Sequence, residues 1–203
     1  MDMLNKQSLI LRNKVIEIVE GLYSKKNPVI DWNDWIFEGH IKVVAKWVEE
    51  ISKKYEFDAE GTLAAAYLHD LAYAWTSKND PDLEEKSEFK AREVLKEASF
   101  SEERVTFIVD KIIHGHGMND GKEPENIEAK VLATADALSH FSTDFYLVIC
   151  WNRYLFEDKS LDDYKKWVLE KIERDFNNKI FFEEYKQIAK PYYQSIKTLF
   201  EYQ

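Results

Sequence analysis

The stretch AAAYLHDLAYA, residues 64–74, is the most informative part of this chain. It is apolar and rich in alanine, as a buried helix is, and it carries a histidine and an aspartate side by side, His69 and Asp70. Burying an imidazole next to a carboxylate costs several kcal/mol unless both groups are paired. We therefore expect the fold to supply partners for this pair.

Apolar residues recur at helical spacing on both sides of this stretch, and no segment shows the two-residue alternation of a half-buried strand. Asp34 and Asp58 are predicted N-caps of the second and third helices. The sequence therefore predicts an all-α fold, a single globular helical domain. The predicted helices cover residues 5–22, 34–55, 59–74, 83–98, 101–117, 127–154, 162–177 and 182–202.

The composition is that of a folded protein with an acidic balance. The chain has 203 residues, 45% of them hydrophobic, which suffices for one domain over residues 1–203. A net charge of −10 argues against a nucleic-acid polymer as partner and against attraction to anionic membranes. No signal peptide or membrane-spanning run is evident, so we expect a cytoplasmic protein.

Four polar residues interrupt apolar helical surfaces: His40, His69, Asp70 and Asp136. Taken singly, such a histidine usually satisfies a carbonyl in the core, and such an aspartate is usually exposed or a cap. Together, two imidazoles and two carboxylates from three predicted helices can converge on one point. That mixed nitrogen and oxygen set suits a divalent metal ion, whose charge would replace the missing hydrogen-bond partners.

The motifs EGHIKVVAKWV, AAAYLHDLAYA and VLATADALSHF occur in this order along the chain. With its histidine, later His-Asp pair and still later aspartate, the chain resembles the HD superfamily of metal-dependent phosphohydrolases. The resemblance covers about residues 30–145, and we expect helices at about 146–203 to pack on that core. It implies that the four residues ligate one divalent ion, with Mn, Mg, Fe, Co, Ni and Zn not distinguished by the sequence.

The resemblance implies hydrolysis of a phosphomonoester or phosphodiester, most plausibly of a nucleotide. Asp70 would be both ligand and the group that orients the nucleophile. His114 is predicted to point toward the core near the substrate, or else to interact with a helix C-terminus, whereas His116 is expected to be solvated. Lys86 is a candidate phosphate clamp, or else part of a solvated face. It stands where two-metal members usually carry a histidine, which favours one metal.

Two rival functions stay open: a non-catalytic module that senses a nucleotide, and a di-iron oxygenase on the same scaffold. The predicted partner is a small phosphorylated substrate, and the aromatic C-terminal helices could form a homodimer face. Trp75 is the tryptophan best placed to stack on a base. His140, one turn after Asp136, is interpreted as a polar core residue, with support of the metal ligands as the alternative.

Overall fold

The computed structural model describes residues 3–25, 35–76, 80–118, 121–156 and 160–201, and the side chains of all of these except 3–10 and 152–156. Within these ranges all regular structure is helical, which confirms the all-α class. The helices are α1 (Met3–Tyr23), α2 (Lys42–Ser52), α3 (Ala59–Leu68), α4 (Leu83–Glu97), α5 (Glu102–Thr106), α6 (Ile127–Ser142), α7 (Phe145–Phe156), α8 (Leu161–Arg174) and α9 (Glu183–Glu201).

Shorter helical pieces extend several of these elements. A π-helical turn, Ile36–Ile41, leads into α2, and a 3₁₀ turn, Leu71–Ala74, follows α3. Helix α5 continues as a π-helical segment, Phe107–Ile113, and a last turn, His114–His116. Helix α8 ends in the π-helical segment Asp175–Lys179.

The chain divides into two compact units, Met1–Leu132 and Ala133–Gln203, and the division falls within α6. Unit 1 holds α1 to α5, and unit 2 holds most of α6 with α7, α8 and α9. The packing of residues 146–203 on a core at about 30–145, as one domain over 1–203, stays a prediction.

Helix α3 is the central helix of unit 1. It contacts α1, α2 and the π-helical segment that extends α5. Its alanines at 64, 65 and 66 and Leu68 are buried. A helix that is apolar all round is one enclosed by neighbours, and small side chains let those neighbours approach closely. The apolar run at 64–68 thus places the end of α3, and the His-Asp pair that comes after it, inside unit 1.

The predicted helix over 59–74 is wrong in one respect, because α3 ends at Leu68 and Asp70 leaves the helical conformation with φ −112° and ψ 26°. Side chains from other helices form hydrogen bonds with the backbone groups of this turn. Tyr23 Oη donates to the Asp70 carbonyl at 2.9 Å, and the Ala72 amide donates to Ser87 Oγ at 3.0 Å. The amide of Ala72 therefore bonds a side chain where a continuing α-helix would use the carbonyl four residues earlier.

The predicted helix over 127–154 is also interrupted, between α6 and α7. Thr143 Oγ1 donates to the Ser139 carbonyl at 2.8 Å and accepts from the Phe145 amide at 3.3 Å. The hydroxyl thus bonds a carbonyl in the last turn of one helix and the first amide of the next. The other predicted helices are found with small shifts at their ends, and Asp34 lies outside the described residues.

Unit 2 is built from helices with strongly marked ends. Ser160 and Asp163 form a reciprocal capping box at the start of α8, and α9 contacts α8. Aromatic rings of Phe141, Phe176 and Tyr193 pack on one another, with the last two stacked at 4.4 Å. Among the described residues, no helix combines the length and apolar character needed to span a membrane.

The N-cap of α3 is expected to stabilise the start of the helix that leads to the His-Asp pair. Asp58 accepts a hydrogen bond from the Gly61 amide at 3.1 Å and pairs with Arg104. Replacing Asp58 by Ala removes this acceptor and should lower the free energy of unfolding by about 1–2 kcal/mol, measured by urea denaturation. Asp58→Asn keeps an acceptor and should lose less than half of that, because the Arg104 pair is partly exposed. An equal loss in both variants would contradict the capping role.

Candidate metal centre

Two imidazoles meet inside unit 1. His40 lies in the π-helical turn that precedes α2, and His69 directly follows α3. Their Nε2 atoms are 3.3 Å apart, and the residues are 1% and 5% exposed. The two rings therefore turn the same nitrogen toward one buried point.

The backbone fixes the tautomer of His69. Its Nδ1 lies 2.9 Å from the Ala66 carbonyl oxygen. Because a carbonyl can only accept, Nδ1 carries the hydrogen, and Nε2 of the neutral ring presents a lone pair toward His40. A hydrogen bond of this kind on the far nitrogen is the usual support of a metal-binding histidine.

Asp70 brings the third donor to the same point. Its Oδ2 lies 3.3 Å from His40 Nε2 and 3.5 Å from His69 Nε2. The side chain is one-third exposed, so the carboxylate reaches solvent while the imidazoles do not. The break after Leu68 permits this approach, since adjacent residues of a regular helix point about 100° apart.

These three atoms fit a divalent cation. Two ligands that each lie about 2.1 Å from an ion are roughly 3.0–3.4 Å from each other in tetrahedral or octahedral geometry. The separations of 3.3, 3.3 and 3.5 Å between the donors are close to that range. Two imidazole nitrogens and a carboxylate oxygen also form a donor set that first-row metals accept. His40, His69 and Asp70 can therefore hold a metal ion.

The orientation predicted for the two later histidines is wrong. The His114 side chain is 69% exposed and its Nδ1 lies 2.8 Å from Glu88 Oε1, which raises the pKa of the imidazole. His116, expected to be solvated, is partly buried, and its ring centroid lies 5.3 Å from that of His69. The cause is the π-helical segment Phe107–Ile113, which winds more residues into each turn than an α-helix and so rotates the residues after it.

Lys86, the predicted phosphate clamp, is held by an acidic partner. Its Nζ lies 2.8 and 2.6 Å from the two carboxylate oxygens of Asp80, whose Oδ2 also accepts from Thr76. The side chain is 42% exposed. The hydrogen bond to Asp80 raises the pKa of Lys86, so the ammonium is charged at neutral pH. It is available to a ligand only together with its carboxylate partner.

Lys86 also lines a groove of about 740 Å³ in unit 1. Apolar side chains of Leu22, Ala74, Trp75 and Phe89 form one part of the wall, and lysines and carboxylates form the rest. The volume falls within the range of about 300–1,000 Å³ that small-molecule sites occupy. Trp75, the tryptophan singled out from the sequence, is thus part of this groove. Ala74, which also lines it, lies four residues after Asp70 in the sequence.

Asp136 belongs to unit 2 and is held there on both carboxylate oxygens. Oδ1 lies 3.1 Å from His140 Nε2, and Oδ2 accepts from Lys179 Nζ at 3.0 Å. His140 Nδ1 in turn lies 2.9 Å from Oδ2 of Asp175. Lys171 donates to that same oxygen at 2.6 Å. All five residues are buried.

The charges of this cluster balance through mutual pairing. Burial opposes ionisation of Asp175, yet Lys171 and His140 outweigh it and hold the pKa of the carboxyl well below its usual range. Burial also opposes the charge on Lys179, but Asp136 and Asp175 outweigh it and raise the pKa of the ammonium. For Lys171, burial prevails and lowers the pKa. Asp175 is therefore ionised inside the unit.

Lys179, Asp175 and Lys171 were not anticipated from the sequence. They lie in the stretch KIERDFNNK, residues 171–179, whose charges resemble those of a solvated helix face. The one available indication is that Lys171, Asp175 and Lys179 recur every four residues and so share a face. His140 is buried as expected, and it also contacts Asp136.

A family model described as HD domain matches residues 37–140, about half of the chain. The matched segment contains all four residues that the resemblance assigns to the metal, and it confirms that resemblance. No curated protein and no solved structure matches the chain significantly. The HD domain is the scaffold of metal-dependent phosphohydrolases, which fits the donor set found in unit 1.

The Asp80–Lys86 pair gives a titration that can be checked. Hydrogen bonds from Lys86, Thr76 and the Asp82 amide lower the pKa of Asp80 to about 2. Lys86→Met should raise this pKa toward its unfolded value of about 3.9, as measured by carboxyl ¹³C NMR. Because the folded pKa is the lower one, the pairing stabilises the fold above about pH 4 and is lost as the pH falls toward 2.

The matched control for this titration is Lys90→Met. Lys90 pairs with Glu93 on the same helix, at 2.8 Å, and its loss should leave the pKa of Asp80 unchanged. If Asp80 titrates in the Lys86→Met protein as it does in the wild type, the assignment of Lys86 as its main partner is wrong.

Proposed function

The chain belongs to the HD-domain family, and on that premise we propose that it is a metal-dependent phosphohydrolase acting on a phosphomonoester or phosphodiester of a nucleotide. We assign His40, His69, Asp70 and Asp136 as ligands of one divalent ion. His40, His69 and Asp136 are buried, and Asp70 reaches solvent. The exposed carboxylate is the ligand on the side from which a substrate can enter.

The observation that carries the proposal is the triangle of donor atoms on His40, His69 and Asp70. Its edges of 3.3, 3.3 and 3.5 Å suit ligands of one ion. A bound divalent ion supplies Lewis-acid stabilisation of charge on a phosphoryl group and lowers the pKa of water near it.

The chain's own residues orient the reacting groups. The Ala66 carbonyl holds His69 in the tautomer that presents Nε2, and Tyr23 and Ser87 hold the backbone that carries Asp70. Asp70 Oδ2 faces the imidazoles, and the carboxylate also reaches solvent, where it can accept a hydrogen bond from the attacking water. Asp70 is thus assigned both to the ion and to the nucleophile.

A nucleotide is the substrate class that the groove supports. Trp75 and Phe89 offer aromatic faces for a base, and Lys86 offers positive charge toward a phosphate. The 3₁₀ turn Leu71–Ala74 separates Asp70 from Trp75 by roughly 10 Å along its axis. Lys86 remains the proposed phosphate contact. His114 is exposed, so it can contact only a part of the substrate that lies outside the buried pair of imidazoles.

Variants of the ligand residues test the proposal directly. His69→Ala and Asp70→Ala should each reduce bound metal and lower hydrolysis of a phosphoester by at least about 100-fold, because removing a ligand costs more than removing its support. Metal content is measured by elemental analysis after reconstitution with Mn²⁺, and turnover by phosphate release from a nucleotide panel.

His114→Ala is the matched control for metal content, since its exposed side chain should leave the bound Mn²⁺ unchanged. If His114 contacts the substrate, the same variant lowers turnover alone. Full activity with unchanged metal in His69→Ala would refute the proposed site.

The same measurements separate the rival functions. If nucleotides raise the melting temperature of the protein and are not hydrolysed, a sensing module is favoured. Two iron atoms per chain would favour an oxygenase.

The groove has a test of its own. Trp75→Ala should raise KM for the nucleotide roughly 10-fold, because stacking on a base contributes about 1–3 kcal/mol. The KM for p-nitrophenyl phosphate, which has no nucleobase, should change less than about 2-fold, since that substrate gains none of this stacking. Trp151→Ala removes an exposed tryptophan of unit 2 and serves as the control. Equal changes in KM for both substrates would show that Trp75 does not contact a base.

A further inference from the structure

Unit 2 contains a buried cluster of ionisable side chains, of which the proposed reaction uses Asp136 alone. Its members are two aspartates, two lysines, a histidine and a tyrosine: Asp136, Asp175, Lys171, Lys179, His140 and Tyr146. Each is at most 9% exposed. Replacing buried ion pairs by apolar residues is often neutral or stabilising, so stability alone is a weak reason for such a cluster.

Two side chains of the cluster contact the carboxylate of Asp136 directly. His140 holds Oδ1 at 3.1 Å and Lys179 holds Oδ2 at 3.0 Å. A carboxylate has about four acceptor positions, two on each oxygen. The contacts with His140 and Lys179 therefore do not by themselves prevent Asp136 from binding a cation.

Lys179 is fixed at its backbone as well as at its ammonium group. Thr134, on the same helix as Asp136 and fully buried, donates from Oγ1 to the Lys179 carbonyl at 3.2 Å. The same hydroxyl accepts from the Phe181 amide at 3.1 Å. One side chain of α6 thus fixes the segment from which Lys179 reaches back to Asp136.

His140 is fixed from two further directions. Its Nδ1 lies 2.9 Å from Asp175 Oδ2, an oxygen that also accepts from Lys171 and from Tyr146. The ring of Phe145 stacks on the imidazole with centroids 3.7 Å apart. The imidazole therefore has little freedom to turn away from Asp136.

We infer that Lys179 and the His140–Asp175 pair are positioning residues that hold the Asp136 carboxylate in the orientation in which it binds a divalent cation. The inference rests on the proposed function, in which Asp136 is a metal ligand. Carboxylate and histidine partners of this kind commonly hold metal ligands, and losing one typically weakens metal binding about 10–100-fold. Here a lysine and a histidine backed by an aspartate share that task.

Binding of Co²⁺ tests the inference without reliance on turnover. Lys179→Met keeps the length of the side chain and removes the donor, and it should weaken Co²⁺ binding about 10–100-fold and change the visible absorption spectrum of the bound ion. Asp175→Asn should do the same through His140. Lys165→Met, which removes a lysine paired with Asp162 on the surface of α8, should match the wild type. Circular dichroism and thermal midpoints of the metal-free proteins report folding separately.

A purely structural role would lower the thermal midpoint and leave the affinity and spectrum of the folded protein unchanged. A folded Lys179→Met protein with wild-type Co²⁺ affinity and spectrum would overturn the inference. If both variants fail to fold, the inference is tested by NMR on the wild-type protein. The Nζ resonance of ¹⁵N-labelled Lys179 should shift when paramagnetic Co²⁺ is added, and an unmoved resonance would contradict the inference.

The two proposals fail in different ways. If the wild-type protein binds no Co²⁺, both the proposed metal site and the proposed positioning role are refuted. If the wild-type protein binds Co²⁺ but hydrolyses no phosphoester, the proposed activity is refuted. A weakened Co²⁺ affinity in Lys179→Met would then still support the positioning role.

Discussion

The end of α3 at Leu68 is the constraint on which the candidate site depends. Inside unit 1, α3 is enclosed by α1, α2 and the π-helical extension of α5, and its run from Leu63 to Ala66 is apolar and buried, so the His-Asp pair is placed where the helix stops. At that point Tyr23 and Ser87 take over backbone groups that the next helical turn would use, and Asp70 adopts a non-helical conformation. Two adjacent side chains that would diverge on a regular helix thereby present Nε2 and Oδ2 to the same imidazole, His40.

The polar clusters of the two units differ in their balance of charge. In unit 1, two imidazoles and one carboxylate face one another, a set whose electrostatics improve when a cation is added. In unit 2, two aspartates are paired with two lysines and a histidine, and Asp175 is ionised because Lys171 and His140 outweigh the cost of burial. The first cluster is thus suited to binding an ion, and the second to fixing the positions of its own side chains.

Apart from the four candidate ligands, which the family resemblance assigns and which stay a prediction, local pattern sufficed to predict the all-α class, most helix positions and the cap at Asp58, because each depends on residues close in sequence. What it could not supply depends on distant residues. The break at Asp70 involves Tyr23 and Ser87, and the support of Asp136 comes from Lys179, 43 residues later. The exposure of His114 results from a π-helical segment, and apolar periodicity at α-helical spacing gives no indication of that change in phase.

The structure also bears on how many metal ions the chain can hold. The family resemblance implies a histidine in two-metal members where this chain has Lys86. The ammonium of Lys86 is bonded to both oxygens of Asp80, and this pairing raises the pKa of Lys86. A protonated amine has no lone pair to give to a metal, so this position cannot supply a ligand while the pair is intact. In the groove that Lys86 lines, its ammonium meets a ligand together with the carboxylate of Asp80. The proposal of one metal ion is therefore consistent with the pairing of Lys86 with Asp80.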